Sequence, residues 1–283
     1  MSTSLDEDAS PLRGEGLTLS YGEGRTVSDH LDIAVPDHSF TAVIGPNACG
    51  KSTLLRALAR LLAPERGAVV LDGRDIRDIP SRTVARRLGL LPQTSHSPAG
   101  ISVRDLVARG RFPHQSLLRQ WSPSDDAAVQ RAMAATGVAD LADRLVDELS
   151  GGQRQRVWLS LVLAQETPLL LLDEPTTFLD ITHQLEILDL CRSLHATGRY
   201  TLVAVLHDLN LAFRYATHLI VMKDGRVVAS GAPEDVVDAD LIREVYGVDC
   251  LCLPDPVNGR PMIVPLDTTA PIPTAPTPER TSA

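Results

Sequence analysis

The sequence predicts an α/β fold with a parallel sheet at its centre, and three observations carry that reading. Runs at 39–45 (SFTAVIG), 168–175 (PLLLLDEP) and 200–208 (YTLVAVLHD) read as apolar throughout, the pattern of parallel strands covered on both faces. Segments with helical spacing of apolar residues separate them. The residues that could carry chemistry fall at the C-terminal ends of those runs, where open α/β sheets bind ligands.

The elements follow in order. Residues 1–13 read as a flexible leader, polar and acidic, without the apolar segment of a secretory signal. Residues 14–253 form one continuous unit. The run 39–45 is followed by STLLRALARLLA, an amphipathic helix after Lys51. Runs 67–73 (GAVVLDG) and 87–93 (RLGLLPQ) read as further strands. From about 94 to 166 no strong strand is visible, so a helical insertion is expected. Within it Ser122 reads as an N-cap with Pro123 at the first helical position, and a long helix begins near Ser150. In HLIVMKDGRVVASG (218–231), Asp224-Gly225 between two apolar runs predicts a hairpin. Residues 254–283 read as a C-terminal extension. From about 268 it is so rich in Pro, Thr and Ala that disorder is expected.

Composition narrows the class. With 43% apolar but only 4% aromatic residues, the core should be aliphatic. A net charge of −9 argues against a broad basic surface for nucleic acid, and no such partner is expected. Four scattered cysteines do not make a disulfide framework and fit a reducing compartment. Cys250-x-Cys252 could be half of a metal site, but no second pair accompanies it; a buried pair on an edge strand is the preferred reading. No run approaches the ~18 apolar residues of a membrane span, so any membrane link is expected through a partner.

The segment Gly45-Pro46-Asn47-Ala48-Cys49-Gly50-Lys51-Ser52-Thr53 matches G-x-x-x-x-G-K-[ST] at every fixed position, between a buried strand and a helix. Backbone N–H groups of such a loop cradle phosphate oxygens, and the helix N-terminus adds partial positive charge. Lys51 should reach the β- and γ-phosphates of ATP, and Ser52 should offer its hydroxyl to Mg²⁺. Ala48 is read as lying in an allowed backbone region; a positive φ would cost about 1–2 kcal/mol. Cys49, near a helix N-terminus and beside Lys51, should have a lowered thiol pKa. It is either alkylation-sensitive and protected by ATP, or a small filler.

At the end of the run 168–175, Asp173 suits Mg²⁺ binding and Glu174 is placed to polarise an attacking water. In Leu149-Ser150-Gly151-Gly152-Gln153, Ser150 and Gln153 make a capping box. The two glycines are wasteful for capping alone, at about 0.8–1.0 kcal/mol each against Ala in a helix interior. They do expose backbone N–H groups to an approaching anion.

LSGGQ resembles the signature of the ATP-binding cassette (ABC) family, and the remaining family motifs stand in order over roughly residues 14–253. The resemblance implies a P-loop NTPase cassette: a RecA-like core, an antiparallel β-subdomain and an inserted α-helical subdomain. It makes Tyr21 the aromatic stacked on adenine, Gln93 the Q-loop glutamine that reports on Mg²⁺, Leu179-Asp180 the D-loop, and His207 the switch histidine that contacts the γ-phosphate. His183 and His195 lie in helical stretches and read as surface residues. Two cassettes pair head to tail in the family. With one phosphate loop and one signature, this chain supplies half of such a sandwich, with Ser150, Gly151, Gly152 and Gln153 facing the ATP of a second copy.

A single cassette with a helical insertion fits an ATPase docked peripherally on the cytoplasmic face of a membrane permease, with an extracytoplasmic substrate-binding protein as an indirect partner. A soluble cassette of translation or DNA repair is a second reading, disfavoured by the absence of a second cassette or long coiled coil. A free P-loop enzyme such as a nucleotide kinase fails on the signature. The segments 102–114 (SVRDLVARGRFPH) and 149–188 resemble those of importers of ferric siderophores, haem and cobalamin. Ferric-siderophore import is the expected branch, with cobalamin or haem import as the alternative.

Overall fold

The computed structural model describes residues 10–20, 26–94, 97–115, 121–177 and 179–267. In chain order, β1 (Leu12–Ser20) and β2 (Thr26–Val35) precede β3 (Phe40–Ile44) and α1 (Lys51–Leu58). Next come β4 (Arg66–Leu71), β5 (Arg74–Asp75), α2 (Ser81–Arg87) and β6 (Leu88–Leu91). The helical insertion holds α3 (Val103–Ala108), a 3₁₀ segment (Arg109–His114), α4 (Pro123–Ala135) and α5 (Gly151–Ala164). Then follow β7 (Leu169–Asp173), α6 (Ile181–Ala196), β8 (Thr201–Val205), α7 (Leu209–Tyr215), β9 (His218–Lys223) and β10 (Arg226–Gly231). The last elements are α8 (Pro233–Val236), α9 (Ala239–Tyr246), β11 (Cys250–Pro254) and β12 (Pro261–Pro265).

The main sheet has the order β10-β9-β3-β8-β7-β6, parallel except for the β9–β10 hairpin. That hairpin turns at Asp224 and Gly225, both at positive φ (47° and 75°), the geometry an Asp-Gly turn supplies. Side chains alternate across each central strand. Phe40, Ala42 and Ile44 of β3, Leu170 and Leu172 of β7, and Leu202 and Ala204 of β8 pack with the helical insertion, α6 and α7. Val43, Leu169, Leu171, Val203 and Val205 point the other way, onto α1 and the antiparallel sheet β2-β1-β4-β5. The all-apolar runs are therefore strands divided between two cores.

Four features depart from the sequence-based expectations. The folded body begins before residue 14: β1 starts at Leu12, which is wholly buried. The strands β1 and β2 carry no clean alternation, because Gly16 at φ 56° and register shifts between Gly14 and Leu19 break the pattern. Residues 254–267 are not a bare extension, since β12 pairs with β11 and Ile263 enters the larger core. Cys250 and Cys252 sit on β11, two residues apart and so on one face of the strand; Cys250 is buried but Cys252, further along toward the strand's exposed end, is not, which corrects the expectation of a buried pair. Residues 1–9 of the expected leader and the stretch from 268 lie outside the described residues.

Candidate nucleotide site

The loop between β3 and α1 is shaped by residues that only this geometry requires. A Cβ on Gly45 (φ 152°) would lie 2.2 Å from the carbonyl oxygen of Met222, so the loop leaves β3 pressed against β9. Gly50 caps α1 at φ 105°. Ala48 has φ 62°, correcting the expectation of an ordinary allowed conformation: the turn of the loop demands the left-handed region there, at a cost of about 1–2 kcal/mol for a residue with Cβ. Lys51 Nζ donates to the carbonyls of Gly45 and Pro46, both at 2.8 Å, and the side chain is only 5% exposed. The loop is thus curled around its own ammonium group.

Cys49 also differs from expectation. It is buried beneath the loop, and burial pushes its thiol up; the nearby Lys51 charge opposes this and does not win. The sequence shows the helix terminus and the lysine but not the lost solvent.

Two carboxylates follow each other at the end of β7 and sit in opposite settings. Ser52 Oγ donates to Asp173 Oδ1 at 2.9 Å. Asp173 is 2% exposed, and burial raises its carboxyl above the usual range. Glu174 sits at φ 52°, a strained conformation for a residue with a side chain. Its Oε1 lies 2.7 Å from His207 Nε2, and its Oε2 accepts from Gln93 Nε2 at 2.7 Å and Thr177 Oγ1 at 2.9 Å. Burial pushes this carboxyl up, but the hydrogen bonds from His207, Thr177 and Gln93 together hold it below the usual range. The Gln93 amide nitrogen thus turns to Glu174.

A cavity of about 400 Å³ opens at the loop and is lined by Asn47, Ala48, Lys51, Ser52, Glu174 and His207, with Val27 of β2 on its wall. Gly50 and Thr53 also line it. The structure therefore joins the Gly45–Thr53 loop, the acidic strand end and His207. Tyr21 lies outside the described residues. Thr177 and Val27 were not singled out by sequence: a Thr three residues past Glu174 carries no pattern, and Val27 reaches the cavity only through sheet packing.

Ser150, Gly151, Gly152 and Gln153 do not line this cavity. They start α5, where Ser150 Oγ accepts from Gln153 N at 3.3 Å and Gln153 Oε1 accepts from Ser150 N at 3.1 Å. The glycines have different reasons. A Cβ on Gly152 would lie 2.4 Å from the His183 ring, whereas one on Gly151 would meet nothing within 4 Å. Nothing in the chain's own packing asks for Gly151. His183 is accordingly no plain surface residue: its Nδ1 lies 2.7 Å from Asp180 Oδ1, and that carboxylate also caps α6 by accepting from His183 N at 3.0 Å. These bonds hold Asp180 below the usual carboxylate range. His183 thus links the Asp180 side chain to the start of α5.

The comparisons agree with this geometry. Residues 28–177 match the family model described as ABC transporter. The chain is 55% identical over 267 residues to the ferric enterobactin transport ATP-binding protein FepC of Escherichia coli (strain K12), covering 94% of this chain and 98% of that protein. A metal-chelate type ABC transporter solved in an inward-facing conformation superposes with a TM-score of 0.78 at 26% identity, covering 92% of this chain and 98% of its own. A dimeric bacterial ABC transporter cassette gives a TM-score of 0.70 at 25% identity, over 78% of this chain and 98% of its own. The chain belongs to the ABC transporter family, as one of its ATP-binding cassettes.

Proposed function

We propose that this chain is the ATP-hydrolysing subunit of an importer for an iron(III)–siderophore complex. The observation that carries the hydrolytic part is the convergence of Lys51, Ser52, Glu174 and His207 on one cavity, with Asp173 hydrogen-bonded to Ser52 behind its wall. Lys51 and the loop amides hold the β- and γ-phosphates. The Ser52 hydroxyl and the Asp173 carboxylate are hard oxygen donors 2.9 Å apart, a pair that suits Mg²⁺. The buried Asp173 charge is also the kind a cation would compensate. Bound magnesium would offset charge on the phosphate oxygens.

Glu174 orients and deprotonates the attacking water. Three donors occupy its oxygens in this state and lower its basicity. Release of Gln93 and His207 toward incoming nucleotide would free those oxygens and raise the basicity. Catalysis would then wait for the ligand.

One phosphate loop and one signature make half of a two-ATP sandwich, so the working unit is a head-to-tail pair. The exposed, unencumbered Gly151 supports that reading, because its backbone is open to the ATP of a second copy. Among the described residues no helix is long and apolar enough to cross a membrane. The pair would sit peripherally on the cytoplasmic side of a permease, which receives cargo from an extracytoplasmic binding protein. The likeness to FepC supports a ferric siderophore as cargo. Growth of a deletion strain on single iron sources tests this: loss of growth on ferric siderophores alone is expected, and undiminished growth on them would refute the assignment.

A further inference from the structure

Helix α7 follows His207 almost at once, so whatever fixes α7 sets where that imidazole lies. The helix has seven residues, too few to be stable on its own hydrogen bonds. Much of its fixing comes from the C-terminal hairpin. Near its start, Asn210 Nδ2 donates to the carbonyl of Ile263 at 3.1 Å, and Asn210 Oδ1 accepts from Ile263 N at 2.8 Å. The side-chain amide thus pairs with β12 as a neighbouring strand would. At the other end, Arg260 Nη1 reaches the carbonyls of Phe213 (3.4 Å), Arg214 (3.2 Å) and Ala216 (2.5 Å). These are the groups a helix C-terminus leaves without partners, and the guanidinium charge suits that end of the helix dipole. Arg214 pairs with Asp255, itself 4% exposed, at 2.8 Å. Underneath, Ile263 shares the core with Ala212 and Phe213.

None of these residues lines the nucleotide cavity. Yet the chain places several half-buried or buried polar groups on one short helix, at both of its ends. We infer that the hairpin β11–β12 is a positioning element for His207: Asn210 and Arg260 hold α7 at its two ends and so keep His207 Nε2 at 2.7 Å from Glu174. The inference rests on the hydrolytic roles proposed above for those two residues. Asp208 caps α7 independently, and Tyr215 Oη donates to Asp189. Loss of a hairpin contact should therefore loosen the helix and leave the fold intact.

The test is single-turnover hydrolysis of Mg²⁺–ATP by the full chain, with thermal unfolding as a check. Asn210→Ala and Arg260→Ala are each made alone and in a His207→Ala background. Each variant alone should lower the rate at saturating ATP by about tenfold, with the half-saturating concentration within about twofold of wild type. In the His207→Ala background neither should add a further loss, because the residue they position is gone. An unchanged rate in both single variants would overturn the inference. So would an equal fold-loss in the two backgrounds, the mark of a merely structural support. Should Asn210→Ala fail to fold, Arg260→Ala gives the same readout; failure of both to fold would reduce the hairpin to a stability element and also overturn it. Glu174→Gln separates the two levels: wild-type hydrolysis by that variant would sink the site assignment, whatever the Asn210 result.

Discussion

At the scale of single residues, neighbours in sequence differ because their surroundings differ. Asp173 and Glu174 are adjacent, yet burial raises one carboxyl while hydrogen bonds lower the other. For Asp173 folding favours the protonated form, so above its folded-state value the charge costs stability, and the cost fades as pH falls through that value. Asp173→Asn should therefore raise the melting temperature of the nucleotide-free chain at neutral pH, with the gain shrinking toward acid, while hydrolysis is lost. Ala48 offers a second check. Glycine relieves the left-handed strain at φ 62° but loses some unfolded-state restriction, so Ala48→Gly should stabilise by up to about 1 kcal/mol in denaturant unfolding. The thiols give a third. With Cys49 buried and raised and Cys252 exposed, maleimide labelling followed by peptide mapping should modify Cys252 first. The fixed positions of the phosphate loop were legible in sequence because their chemistry needs particular side chains. The thiol pKa, set by burial, was not; nor were the φ of Ala48, set by the turn of the loop, and the contact of Thr177 with Glu174, set by the turn after β7.

At the scale of elements, legibility followed periodicity and local turn chemistry. The Asp224-Gly225 hairpin and the Ser122 and Ser150 helix starts form where short-range signals put them. The strands β1 and β2 escaped because a left-handed glycine and register shifts interrupt their alternation. The hairpin β11–β12 escaped because β11 is largely exposed and prolines stand at 254, 261 and 265. The α5 start makes a sharp prediction from its two glycines. Gly152→Ala must displace the His183 ring and should lower the melting temperature of the isolated chain. Gly151→Ala meets nothing in its own chain and should be neutral or stabilising there, by up to about 1 kcal/mol. It should nevertheless weaken ATP-dependent pairing, read by sedimentation.

For the whole molecule, two cores flank one sheet, and the sheet's C-terminal edge carries the phosphate loop, the carboxylates and His207. The Ser150–Gln153 segment does not line that cavity and starts α5, at the end of the helical insertion. On the function proposed above, a chain built this way completes no site by itself. The central claim is that its missing half is Ser150–Gln153 of a second copy. Sedimentation velocity of full-length Glu174→Gln, with and without Mg²⁺–ATP, and of the same chain carrying Ser150→Arg, tests it most directly. Glu174→Gln should be monomeric alone and dimeric with ATP, and adding Ser150→Arg should leave it monomeric in both conditions. Undiminished ATP-dependent dimerisation with Ser150→Arg present would contradict the shared site.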